Sequence, residues 1–206
     1  MAVSPIQRLL RRVPILRRAV YQHTKAERKK EMDARFEVVR SILAIVGDTT
    51  VNWAAVERML DELIAHYQHH YTDLSLEHPI SLSKKLEYLK SHMQPDLRLT
   101  SQTREFLRHS RIEVARLGKE RHDIIHGMIQ RTQRPFVWRT QRVAYRKALT
   151  HIVHREYDTD EILKIYGEIS DLVQFLSPRI WLLTGGERSA FPSNKVEETL
   201  RELGIA

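Results

Sequence analysis

The stretch TSQTREFLRHSRIEVARLGKERHDIIHGM, residues 100–128, decides how the rest of the chain is read. Leu107, Val114, Leu117 and Ile124 follow one another at steps of seven, three and seven residues, which puts all four on one face of a helix. Thr100 stands where an N-cap belongs, and Gly127 stands where a helix stops. The phase persists across Gly118, so the stretch predicts one helix that is continuous or kinked at that glycine.

Working outward, the same period appears on both sides. From Thr24, the residues Met32, Phe36, Val39, Leu43 and Val46 recur at three- and four-residue steps, and Gly47 predicts an αL stop. A second helix is expected from about Trp53 to His70, with Val56, Leu60, Leu63 and Tyr67 on one face. A short third follows Pro79 and Ser81 through Leu86 and Leu89. C-terminal to Gly127 the character changes. Phe136, Trp138, Thr140, Val143 and Tyr145 are interspersed with arginines and β-branched residues, which predicts a β-hairpin or extended excursion over 128–156. Asp158 or Thr159 then caps a last long helix with Ile162, Ile165, Ile169, Leu172, Val173 and Leu176 inward and Pro178 just beyond it. The expected fold is all-α, a bundle of four or five helices over residues 31–176 with an inserted β-hairpin or extended segment. A basic arm, residues 1–30, precedes it, and a C-terminal extension, residues 177–206, follows with a Gly185-Gly186 break and a short helix from about Asn194.

Composition narrows the chemistry. The 206 residues include no cysteine, which excludes disulfides, thiolate-bound metal and a thiol nucleophile. No apolar run approaches the roughly 20 residues that span a bilayer, and the expectation is a cytoplasmic protein without a cofactor. The net charge of +8 is unevenly placed. Residues 1–30 hold nine Lys or Arg against Glu27 alone, and residues 98–147 hold thirteen against four acids. Two basic regions point to polyanionic partners, either nucleic acid or, for the arm, an anionic membrane surface. The arm also has the acid-poor character of a transit peptide, and Pro5 and Pro14 are expected to break it.

The densest cluster of reactive side chains is Glu120-Arg121-His122-Asp123-Ile124-Ile125-His126-Gly127, inside the central basic region. An arginine suits two phosphate oxygens, and histidine can give or take a proton near neutral pH. Arg104/His109, Arg18/His23 and Arg146/His151 repeat the five-residue spacing, but only Arg121 is followed by a polar histidine and only His126 by a helix-ending glycine. Residues five apart on a helix point about 140° from each other, so Arg121 and His126 of one chain are expected on different faces. A two-fold homodimer would supply one from each chain. The position of His126 near a helix C-terminus favours imidazolium and therefore the acid role.

The Arg121-His122-x3-His126-Gly127 pattern resembles the signature of the HEPN superfamily, in which four to six residues, the first of them polar, separate an arginine from a histidine. The resemblance covers roughly residues 31–176. It implies a helical bundle, a homodimer that joins two motifs, and metal-independent endoribonuclease activity of a toxin-like or defence-related kind. Its catalytic residues would be Arg121, His122 and His126, its partner RNA, and its possible cognate an antitoxin or nucleotidyltransferase. Arg104, Arg108 and Arg111, along one face of the same helix, are candidate RNA-binding residues. The alternative class is a non-catalytic helical interaction module that docks through its basic arm on nucleic acid or an anionic surface. Two metal readings compete with these: an HD-type phosphohydrolase using His122-Asp123 with His92 and Asp158, and a ligand set from His66, His69 and His70.

Overall fold

The computed structural model describes residues 14–70, 77–91, 99–134, 136–146 and 149–205. The chain divides into two units, Met1–Ala44 and Ile45–Ala206. Helix α1 (Pro14–His70) contributes to both. In the first unit it begins at Pro14, whose fixed φ and missing N–H suit a first helical position. Most of the expected basic arm after that residue is therefore helical, and residues 1–13 lie outside the described residues. Along the same helix Met32, Phe36 and Leu43, which set its apolar period, are exposed.

The second unit holds the core. Its part of α1 buries Trp53, Val56, Leu60, Leu63 and Ile64. Helices α2 (Leu82–Ser91) and α3 (Ser101–His126) follow, then strands β1 (Met128–Arg131), β2 (Val137–Arg146) and β3 (Leu149–Asp158). Helix α4 (Thr159–Leu183), a short 3-10 turn (Arg188–Ala190) and helix α5 (Ser193–Leu203) complete it. Among the described residues the fold is predominantly helical, with one small antiparallel sheet in the order β1-β2-β3. No helix among them is long and apolar enough to cross a membrane.

Three sequence expectations change. Gly47 does not end a helix, because α1 continues through it. An interior glycine costs about 1 kcal/mol against alanine, less than the following turns recover by burying Trp53 and Val56. Pro178 likewise sits inside α4. The apolar face Ile169, Leu172, Leu176 and Ile180 runs straight past it and is almost fully buried, which outweighs the lost hydrogen bond. The expected hairpin is a three-stranded meander, because residues directly after Gly127 form β1 and pair with β2 in the register Met128↔Gln141 to Arg131↔Trp138. Trp138 and Thr140 on β2 lie opposite Tyr157 and Arg155 on β3. Trp138, Thr140 and Tyr157 are buried on one sheet face.

Other expectations hold in detail. Thr100 caps α3, its hydroxyl accepting from Thr103 N at 3.0 Å. Asp158 caps α4 in a box with Glu161, each side chain accepting from the other's backbone N–H at 2.7 and 2.9 Å. Helix α3 is unbroken at Gly118. A Cβ there would stand 3.0 Å from Leu82 Cδ2 and 3.4 Å from Trp53, so the glycine permits close packing of α3 on α1 and α2 rather than a kink. The hydroxyls of Thr100 and Thr103 donate to the Leu203 carbonyl at 2.6 and 2.9 Å, tying the end of α5 to the start of α3.

Candidate functional site

The last turns of α3 carry Arg121, His122 and His126, and α1 supplies Trp53 and Glu57 beside them. Close approach of the two helices follows from Gly118, one turn before Arg121. Trp53 and Glu57 are themselves one turn apart, and the indole N–H donates to Glu57 Oε1 at 2.6 Å. The same carboxylate oxygen accepts from Arg121 Nη2 at 2.6 Å. The guanidinium carbon lies 4.9 Å from the Trp53 ring centroid, so the cation is held by charge, hydrogen bond and aromatic face together. The Arg121 side chain is only 13% exposed, compared with 33% for Glu57.

Arg121 Nη1 lies 2.8 Å from His126 Nε2 within one chain. Arg121 and His126 therefore meet within a single protomer, which corrects the expectation that they face apart and need two. The angular rule applies to Cα–Cβ directions, whereas the long arginine stem, drawn across by Glu57, carries its guanidinium back to the final turn. Because a guanidinium only donates, His126 Nε2 must present its lone pair in this arrangement. That suits a proton acceptor, opposite to the acid role inferred from the helix terminus alone.

The His122 and His126 ring centroids are 4.9 Å apart. Burial holds the His122 imidazole below the ordinary histidine range, and His126, Arg142 and Arg121 push the same way against the opposing Asp123 carboxylate. Asp123 is buried and accepts from Arg142 Nε of β2. Arg155 of β3 reaches Glu120 Oε2 at 2.8 Å and lies 3.8 Å from Asp123 Oδ2. Its guanidinium also covers the Tyr157 ring at 4.7 Å. Burial drives the Tyr157 phenol well above its ordinary value. The sheet thus clamps the end of α3 through two arginines on two acids.

Gly127 makes that clamp possible. A Cβ on it would stand 2.9 Å from Thr140 Cβ and would overlap the Asp123 carbonyl oxygen. Its φ of −80° is open to any residue, so the requirement is space for the sheet against the helix end and not backbone conformation.

The remaining candidates are not gathered here. Arg108 is paired with Glu105 at 2.9 Å on the exposed face of α3. Arg104 and Arg111 are half-buried on the same helix. Arg111 lies ten residues before Arg121, about 15 Å along the axis. His92 falls outside the described residues. Asp158 serves as the α4 cap, and Asp123 faces two arginines that would repel a cation. The His66 and His70 ring centroids lie 4.3 Å apart with the rings tilted, and His69 is edge-on to His70 at 5.1 Å. Among the described residues no group of three or more His, Asp or Glu side chains is arranged to hold a metal ion.

Glu57, Trp53, Arg142 and Arg155 escaped the sequence reading. A signal for the first two existed, since Trp53 and Glu57 share the one-turn spacing at the edge of the apolar stripe that includes Val56 and Leu60. The arginines depend on strand register, which sequence pattern does not supply. Compared with known protein families, curated proteins and solved structures, the chain matches none.

Proposed function

We propose that the protein is a metal-independent endoribonuclease of HEPN type, with Arg121 binding the scissile phosphate and His126 and His122 transferring protons. The observation that carries this reading is the 2.8 Å contact between Arg121 Nη1 and His126 Nε2, with Arg121 fixed from behind by Glu57. An incoming phosphate oxygen takes over the Nη1 donor and leaves the Nε2 lone pair free. His126 then accepts the proton of the RNA 2′-hydroxyl as its oxygen bonds to phosphorus. The bond from phosphorus to the 5′-oxygen breaks, and that oxygen receives a proton from His122. Fixed positive charge on Arg121 stabilises the negative charge that grows on the phosphoryl oxygens. The products are a 2′,3′-cyclic phosphate and a 5′-hydroxyl.

A second reading draws on the low exposure of the Arg121 side chain. Here Arg121 is a structural lock between α1 and α3 in a non-catalytic, polyanion-binding module. One experiment separates the two. Purified protein is incubated with single-stranded RNA in EDTA beside His126→Ala and Arg121→Ala, with circular dichroism checking each variant's fold. Cleavage by the wild type that falls by about 10² to 10⁴ in folded His126→Ala supports catalysis. An inactive wild type, together with unfolded Arg121→Ala, supports the lock.

A further inference from the structure

The first unit presents an apolar seam that is exposed among the described residues. Met32, Phe36 and Leu43 are 66%, 68% and 59% exposed, and Val39 between them is half-buried. Their steps of four, three and four residues are those of the a and d positions of a coiled coil, and at 3.6 residues per turn the four fall within about 60° of arc. A soluble helix seldom displays three large apolar side chains in line unless another surface covers them. Charge and spacing identify that surface.

We propose that α1 pairs antiparallel with α1 of a second copy of this chain, about a two-fold axis passing between Glu37 and Val38. In that register each apolar side chain meets another: Phe36 lies opposite the partner's Val39 and Met32 opposite the partner's Leu43, and the symmetry repeats both layers. The seam is therefore self-complementary, as a two-fold interface requires. Asp33 and Arg40, both exposed, flank the seam on the same side. The antiparallel register sets Asp33 beside the partner's Arg40 and Arg40 beside the partner's Asp33, two opposite-charge pairs. A parallel pair would oppose Arg35 to the partner's Arg40 twice, and like charges at these positions disfavour that orientation. In the antiparallel pair Arg35 stays with Glu31 of its own helix, with which it forms an ion pair. The proposal is independent of the catalytic reading, because Arg121 and His126 meet within one chain.

The test uses the full chain. Sedimentation at tens of micromolar should give twice the 24.3 kDa of one chain. Phe36→Asp should raise the dissociation constant by about 100-fold and Asp33→Arg by about tenfold, with the helical signal unchanged because both side chains are exposed. Combining Asp33→Arg with Arg40→Asp should restore pairing. Since the chain has no cysteine, Glu27→Cys carries a single spin label per protomer. Antiparallel pairing separates the two labelled positions by about 31 Å along the axis, whereas parallel pairing leaves only the interhelical spacing of about 10 Å. A wild-type mass of one chain, a Phe36→Asp variant that dimerises like the wild type, or a short label distance would overturn the proposal.

Discussion

Replacing Glu57 by alanine tests the anchor on which the geometry of Arg121 depends. Glu57 Oε1 accepts two hydrogen bonds, from Trp53 Nε1 and Arg121 Nη2, each 2.6 Å long. Truncation leaves a mostly buried cation and a buried indole N–H without that acceptor. A hydrogen bond to a charged group contributes about 1.5 to 3 kcal/mol, and an abandoned indole donor about 1 kcal/mol more. Glu57 is one-third exposed, so water recovers part of the loss, and the expected cost is about 3 kcal/mol. Glu57→Gln keeps an acceptor oxygen and loses only the charge, which should cost about 1 kcal/mol. Urea unfolding at pH 7, with an unchanged dependence on denaturant, gives these values directly. A double-mutant cycle with Arg121→Ala should show a coupling of about 2 kcal/mol, because either truncation already removes the shared bond. A Glu57→Ala cost below about 0.5 kcal/mol, or strict additivity with Arg121→Ala, would refute the anchor.

Two further outcomes follow from the same region. Gly127→Ala should destabilise the fold by about 2 to 3 kcal/mol in urea unfolding, since its Cβ would meet Thr140 Cβ at 2.9 Å and neither the strand nor the helix end can yield without moving the other. Because the His122 imidazole is held below the ordinary value of about 6.5, it loses its proton at a lower pH than a free histidine. A general acid must carry that proton, so kcat/KM for RNA cleavage should decline with rising pH already on the acid side of 6.5, and His122→Ala should remove this descending limb; a limb that persists in the variant assigns the acid role elsewhere.

The helical skeleton was readable because its signals are local. Thr100, Asp158 and the apolar repeats of α3 and α4 report on the few residues around them. Gly47 and Pro178 misled for the opposite reason, since both are strong local breakers overridden by burial that a window of sequence does not contain. In the sheet region, aromatic and β-branched composition marked the strands over 128–156, while the third strand and the register that brings Arg142 to Asp123 arise from tertiary pairing. The candidate site was legible as a cluster at Arg121, His122 and His126. Its geometry was not, because whether the guanidinium turns toward His126 depends on Glu57, 64 residues earlier in the chain. Gly127 looked like a helix stop and is one. Its absent side chain also makes room for Thr140, a requirement visible only once β2 is in place.

The proposed metal-independent cleavage uses the RNA's own 2′-hydroxyl as nucleophile, and that choice of nucleophile fixes the chemistry of both new ends. Mass spectrometry of the ends formed when the wild-type protein is incubated with an RNA oligonucleotide in EDTA tests it most directly. The expected fragments end in 2′,3′-cyclic phosphate and begin with 5′-hydroxyl, formed by the wild type and missing from a folded His126→Ala variant. Fragments with 3′-hydroxyl and 5′-phosphate ends, or equal yields from the two proteins, would contradict it.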